Sequence, residues 1–307
     1  MEGHMKDAPP KPSPVIARLA EAHAELVKPI WAEHPKLFNH AVLCSVGLPY
    51  RNPGEGTRFF ERTSGATSLR LEAGAMVKPD GSFKQVGLPY GPRARLLLLH
   101  MCSEAIKLQS PKIEVADSFT AFARDLGLAT SGRNLRTLRD QVDRMAVVNM
   151  RLARSYGAHI DVFQGPVFSR LRAELSSSPE QLQLWTSHVE FSEVFYRNLS
   201  KNAVPLRLEA IGALKHSARA LDVYAWLAHR LWRVNDAKPV RLKWTSLRFQ
   251  FGNTDQDMKS FKRAFRTALK QVLVVYPQAK VEVVSGGLLL KRSAPPIPLK
   301  FKKQLLG

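Results

Sequence analysis

The chain has 307 residues, with 46 Lys and Arg against 26 Asp and Glu, a formal charge of +20 and a pI near 10.3. That imbalance sets no fold, but it attracts polyanions with rates and affinities that fall with salt. Hydrophobic residues make up 45% of the chain, enough for a sizeable core, and the length suits about two domains. The longest purely aliphatic run, Leu96 to Leu99, is far short of the ~20 residues of a membrane span. No signal-like apolar segment opens the chain, and Cys44 and Cys102 lack CxxC spacing. A reducing, cytoplasmic setting without a membrane is expected.

In chain order, the prolines between Met1 and Pro14 predict disorder, within a flexible N-terminal segment spanning 1–35. Gly3-His4-Met5 reads as an expression-vector scar. Ile16 to Leu26 predicts a short helix ended by Pro29. A Gly-, Pro- and Arg-rich loop follows at 46–54. Ser68 to Ala73 alternates polar and apolar residues and reads as a strand. Pro79 to Ser82 is turn chemistry, and Phe83 to Leu88 reads as the return strand. The pentapeptide Val-Gly-Leu-Pro-Tyr occurs at 46–50 and again at 86–90, which reads as a chance duplication of turn residues.

From Arg93 the chain states one pattern twice. Arg93 to Leu108 is helical, Ile113 to Val115 a short strand, and Ser118 caps a helix over 119–126. Asn134 to Val147 is a third helix, followed by alternating strands from Val148 to Phe163. About 125 residues later Ser217 caps a helix, Val240 to Leu242 is a strand, and Thr245 to Phe251 is a short helix stopped by Gly252. A helix over 257–275 is ended by Pro277. Val281 to Val283 then turns through Gly286-Gly287 into Leu288 to Leu290. Helix, strand, helix, helix, hairpin is the order of a winged helix, whose last helix enters the major groove. The expectation is α+β, two tandem winged-helix domains related as an internal repeat. They would span 36–185 and 186–298, with a basic tail over 299–307.

The 257–275 helix carries two faces. At ~100° per residue, Lys259, Lys262, Arg263, Arg266 and Lys270 fall within roughly 100° of one another, opposite Met258, Phe261, Phe265, Ala268, Leu269 and Val272. In isolation a solvated basic face explains this equally well. On the equivalent helix of the first copy, Arg133, Arg136, Arg139 and Arg144 share one side, opposite Leu135, Leu138, Val142 and Met145. Recurrence at the equivalent position favours DNA binding. Lys291 and Arg292, just after the last strand, are expected to touch phosphate from the wing.

Segments 87–98, 119–128, 203–206, 221–231, 261–265, 277–283 and 286–290 together resemble the plasmid-encoded RepA-type replication initiators, over about Phe38 to Pro298. The resemblance implies binding to direct repeats (iterons) in double-stranded DNA at a plasmid origin, opening of the adjacent duplex, and recruitment of host helicase and initiator proteins. It also implies a homodimer that represses its own promoter.

Other chemistry lacks its residues. There is no GxxxxGK[ST] loop, so ATP-driven action is not expected. The nine histidines never fall as HxH or HxxxH, and Tyr156, Tyr196, Tyr224 and Tyr276 have no metal-binding neighbours of the kind a rolling-circle nuclease needs. His34 and His40 sit in expected loop and are not read as metal ligands. Asp140 and Asp143 are read as tuning local charge rather than binding Mg²⁺. Tyr224, Trp226 and Trp232 read as core, and His100 and His229 as packing residues. No enzyme, cofactor or metal is expected. The alternatives to an initiator are a transcriptional repressor and a non-specific DNA-coating or partition protein.

Overall fold

The computed structural model describes residues 13–26, 36–78, 80–114, 124, 127–128, 132–175, 184–252 and 257–298. The helix expected over 119–126, the tail over 299–307, and the disorder expected over 1–12 lie outside the described residues, apart from helical Arg124.

Helix α1 (Pro14–Leu26) starts at a proline, tolerated in a first turn because its missing N–H would have no partner there. Leu19 and Leu26 are buried in the core of the C-terminal half. Arg18 Nε donates to Ala213 O at 2.8 Å, and the His23 ring bonds Val274 O at 2.8 Å. Residues 14–26 are thus a packed element rather than part of a flexible segment.

The N-terminal half then runs through β1 (Lys36–His40), α2 (Ala41–Ser45), β2 (Phe59–Ser64), β3 (Thr67–Glu72), β4 (Ala75–Val77) and β5 (Phe83–Gln85). Next come α3 (Gly91–Lys107), β6 (Lys112–Glu114), α4 (Gly132–Val147), β7 (Asn149–Tyr156), β8 (His159–Pro166), β9 (Phe168–Leu175) and β10 (Leu184–Phe191). Three of these pairings differ from expectation. The return strand β5 pairs with β4, whereas β3 lies between β2 and β7 in a sheet ordered β2-β3-β7-β8. The alternating residues of 148–163, expected to form the first wing, therefore build a separate four-stranded sheet. The strand after the first helix, β6, pairs instead with β10, giving the order β6-β10-β9.

Beyond them lie α5 (Glu193–Asn202), β11 (Ala203–Arg207), α6 (Leu208–Leu214), α7 (Ala218–Arg230), β12 (Val240–Lys243), α8 (Trp244–Phe251), α9 (Met258–Val275), β13 (Val281–Val284) and β14 (Gly287–Leu290). The last sheet is ordered β12-β14-β13, the same first–third–second order as β6-β10-β9. Gly287 is required at its turn, because a Cβ there would overlap the Leu242 carbonyl of the neighbouring strand. Phe195, Leu199 and Ala203 still belong to the first core, and Val204 and Leu206 to the second. The division therefore falls near Ala203–Val204, not at 185–186. Strand β11 pairs back with β1, Lys36 opposite Arg207.

Both copies of the pentapeptide do the same structural job, so the duplication is not chance. Leu48 O accepts from Arg95 Nη2 at 2.6 Å, and Leu88 O from Arg144 Nη1 at 3.3 Å. Arg95 Cζ lies 4.9 Å from the Tyr50 ring centroid, and Arg144 Cζ 5.2 Å from that of Tyr90. Gly47 presses on Asp222, the partner of Arg95, and Gly87 on Arg144 and Glu55, leaving no room for a Cβ at either place. Each copy thus seats one buried arginine.

His40, expected in a loop, ends β1 and caps α2. Its Nδ1 accepts from Val42 N at 3.2 Å, and its Nε2 bonds Asn198 Oδ1 at 2.7 Å. Burial lowers its pKa to about 4 against the opposing Asn198 hydrogen bond. An unfolded histidine titrates near 6.5, so between these values the unfolded chain binds more protons. The contribution is fully present above pH 6.5 and is lost as pH falls to about 4, amounting to about 3 kcal/mol. Urea unfolding at pH 7 and pH 4.5 should show this loss, reduced in His40→Asn. Equal pH dependence in both proteins would refute it.

Candidate nucleic-acid interface

Asp257 caps α9 by accepting from Ser260 N at 2.9 Å. Phe261, Phe265, Ala268, Leu269, Val272 and Val275 are buried along one side, with both phenylalanines fully enclosed. The opposite side presents Lys259, Arg263, Arg266 and Lys270 to solvent, with Lys262 half-buried. Trp244 of α8 flanks this face. Its ring centroid lies 5.3 Å from Arg266 Cζ and 5.9 Å from Lys262 Nζ, which steadies two flexible cations before any ligand arrives. The basic face, read from periodicity alone, is therefore assembled as one surface.

Helix α4 is split. Arg133 and Arg136 are exposed and Arg139 is half-buried, while Leu138, Val142 and Met145 face the first core. Arg144 leaves the expected set. It is only 5% exposed, with its guanidinium on Asp140 at 2.8 Å and Glu55 at 2.5 Å. Held there, it is a structural residue and not a free cation for phosphate. Burial pushes Asp143 up to about 6, with Arg139 opposing and Asp140 adding to the shift.

At the last hairpin Lys291 pairs with Glu282 at 2.5 Å and Arg292 with Asp236 at 2.8 Å, all four exposed. Such surface pairs are worth about 0–1 kcal/mol, so a phosphate exchanges for either carboxylate at little cost.

The two halves are joined rigidly. Arg95 makes a buried bidentate pair with Asp222, at 2.6 and 2.8 Å, and also donates to Leu48 O, Pro49 O and Gly91 O. Arg62 Nη2 donates to Gly252 O at 2.9 Å, and Gln250 Nε2 to Ser45 O at 2.7 Å. Arg51, Arg62 and Arg219 line a cleft at this junction that opens beside the first turns of α9. No local pattern announces them, because they come from three distant segments. No helix among the described residues is long and apolar enough to cross a membrane.

The model of the family described as plasmid encoded RepA protein matches residues 88–246, which is more than half of the chain. A search of curated proteins finds no match. A crystal structure of domains 2 and 3 of RctB is similar, with TM-score 0.52 and 9% identity over 82% of this chain and 98% of that one. Another structure of RctB domains 2–3 gives TM-score 0.45 and 10% identity, over 78% of this chain and 83% of that one. At such identities the first likeness speaks for the α+β fold alone. The family match covers α3 through the start of α8, the stretch that joins the two halves, and supports a DNA-binding role in plasmid replication initiation. The chain belongs to the plasmid encoded RepA protein family.

Proposed function

We propose that this protein is an initiator that reads repeated duplex sites at a plasmid origin through two winged-helix units, without catalysis of its own. The observation that carries this reading is the solvent-facing row Lys259, Arg263, Arg266 and Lys270 beside the β13–β14 hairpin. In a winged helix that row would lie in the major groove and the hairpin on the flanking backbone. The β6-β10-β9 sheet, with α4 before it, supports a second unit of the same build. Opening of the duplex and recruitment of a host helicase are part of the proposal. Footprinting on the plasmid's own origin tests it. Protection of direct repeats is the expected result, and equal binding to random duplex would leave a DNA-coating protein instead.

Affinity should fall steeply with salt. Arg133, Arg136, Arg139 and the five α9 cations neutralise roughly 8 phosphates, which gives a log–log slope of roughly −7. A slope shallower than about −3 would exclude simultaneous engagement by both units.

A specific feature favours autorepression by a dimer. In the β2-β3-β7-β8 sheet, α8 packs against β2, whereas β8 is the other outer strand and carries Ile160 and Val162 at 63% and 58% exposure. An uncovered apolar edge is a template for pairing across a two-fold axis. Sedimentation over a concentration series should show a dimer at tens of micromolar, roughly where weak association is populated. Ile160→Lys should abolish it. A wild-type chain that stays monomeric there would remove this role.

A further inference from the structure

The junction between the halves holds more buried positive charge than its carboxylates neutralise. Arg62, Arg95 and Arg219 each place Cζ about 5 Å from the Tyr50 ring centroid, at 5.0, 4.9 and 5.0 Å. Arg62 and Arg95 are only 7% and 6% exposed. The acid facing this cluster from α7, Asp222, is taken by both forks of Arg95. Arg219 donates to Phe251 O at 3.2 Å, a neutral carbonyl, and burial holds its pKa below the usual range despite Tyr50. Arg62 Nη1 and the Tyr50 hydroxyl are buried with no hydrogen-bond partner. Guanidinium groups removed from water without counter-charge are costly, so the arrangement is incomplete as it stands.

Above these groups opens a cleft of about 1200 Å³ lined by Arg51, Arg62, Arg219 and Arg263. Two carboxylates reach its wall, and both are engaged: Glu61 by Arg70, and Asp257 by Ser260 N at the start of α9. Three helices begin on this wall, α3 at Pro92, α7 at Ala218 and α9 near Ser260. Their first turns direct backbone N–H groups and positive dipole ends towards it. Ser217 and Asp257 cap α7 and α9, while no side chain caps α3. Rigid arginine forks and helix starts together are the chemistry that recognises phosphate oxygens.

We propose that this cleft is a phosphate-binding site, in which Arg62 Nη1, the Tyr50 hydroxyl, Arg51 and Arg219 receive one phosphate group. Two sources share that chemistry: a backbone phosphate of bound duplex, or a free phosphate compound. Only the duplex source rests on the DNA-binding reading. A phosphate bound here touches residues of both halves, so it ties them together at the start of α9.

The test uses the full chain and inorganic phosphate at ionic strength matched with chloride. Phosphate well above its dissociation constant should raise the wild-type Tm by roughly 3 °C more than chloride. Arg219→Gln and the exposed-site variant Arg51→Ala should lose most of that increment. Wild type and both variants rising equally would show only general salting effects and overturn the site. Broadening of the ³¹P resonance of inorganic phosphate then separates the sources. Loss of broadening when origin duplex is added identifies the backbone, and its persistence identifies a free phosphate compound. Arg266→Ala, outside the cleft, keeps the two proposals apart. It should weaken DNA binding while leaving the phosphate increment intact, so failure of one reading is visible without the other.

Discussion

Arg95→Ala is expected to destabilise the folded chain by about 3–5 kcal/mol, among the largest effects of any single substitution here. The cost does not come from losing a favourable charge pair, since burying two ions is roughly neutral against an apolar pair. It comes from leaving the Asp222 carboxylate, 8% exposed, without its cation, and from freeing Leu48 O, Pro49 O and Gly91 O at once. Because α3 belongs to one half and α7 to the other, unfolding should become less cooperative as well as easier. Urea melts followed by tryptophan fluorescence would report both changes. The paired substitution Arg95→Met with Asp222→Leu should recover most of the loss, because neither charge then remains buried alone. A single-variant loss below about 1 kcal/mol would mean that solvent reaches Asp222 and the junction is loose.

The second large effect concerns DNA. Replacing Arg263 and Arg266 together by Ala removes two exposed cations from the centre of the α9 face. At about 1–3 kcal/mol for each base contact, affinity for the origin repeat should fall about 30-fold to 10⁴-fold. Stability should change little, since neither side chain supports the core. Arg144→Ala makes the contrast. Removing that guanidinium leaves Asp140 without its partner and the Tyr90 ring uncovered, so the melt should shift while base preference stays. Binding titrations on the native repeat and on a scrambled one separate the two. If the double variant kept both affinity and preference, α9 would not be the reading helix.

Much of the second half was legible because its signals are local. Asp257, Ser217 and Gly252 mark helix ends by hydrogen bonds to their own neighbours. The 3.6-residue period of Phe261, Phe265, Leu269 and Val272 fixes which side of α9 meets the core, and thereby which side carries the cations. The same reasoning misplaced Arg144. It lies three turns along from Arg133 and ~20° from it in projection, so the sequence puts both on one face. Periodicity gives the angle around a helix axis but not the depth along it, and only the loop bearing Glu55 turns the far end into an interior.

Strand pairing and the arginine cluster show the same division. Alternation in 148–163 correctly marked strands, yet nothing local says that β7 pairs with β3, some eighty positions earlier. The repeated pentapeptide looked like turn chemistry because its partners, Arg95, Asp222 and Arg144, are distant in sequence. Composition, caps and hydrophobic period, which depend on neighbours in the chain, determined the elements, the basic surface and the α+β class. The tertiary structure alone decided which strands share a sheet, which arginines are buried, and that Arg51, Arg62 and Arg219 meet in one cleft. Those outcomes depend on desolvation and pairing between segments that become neighbours only when the chain has folded.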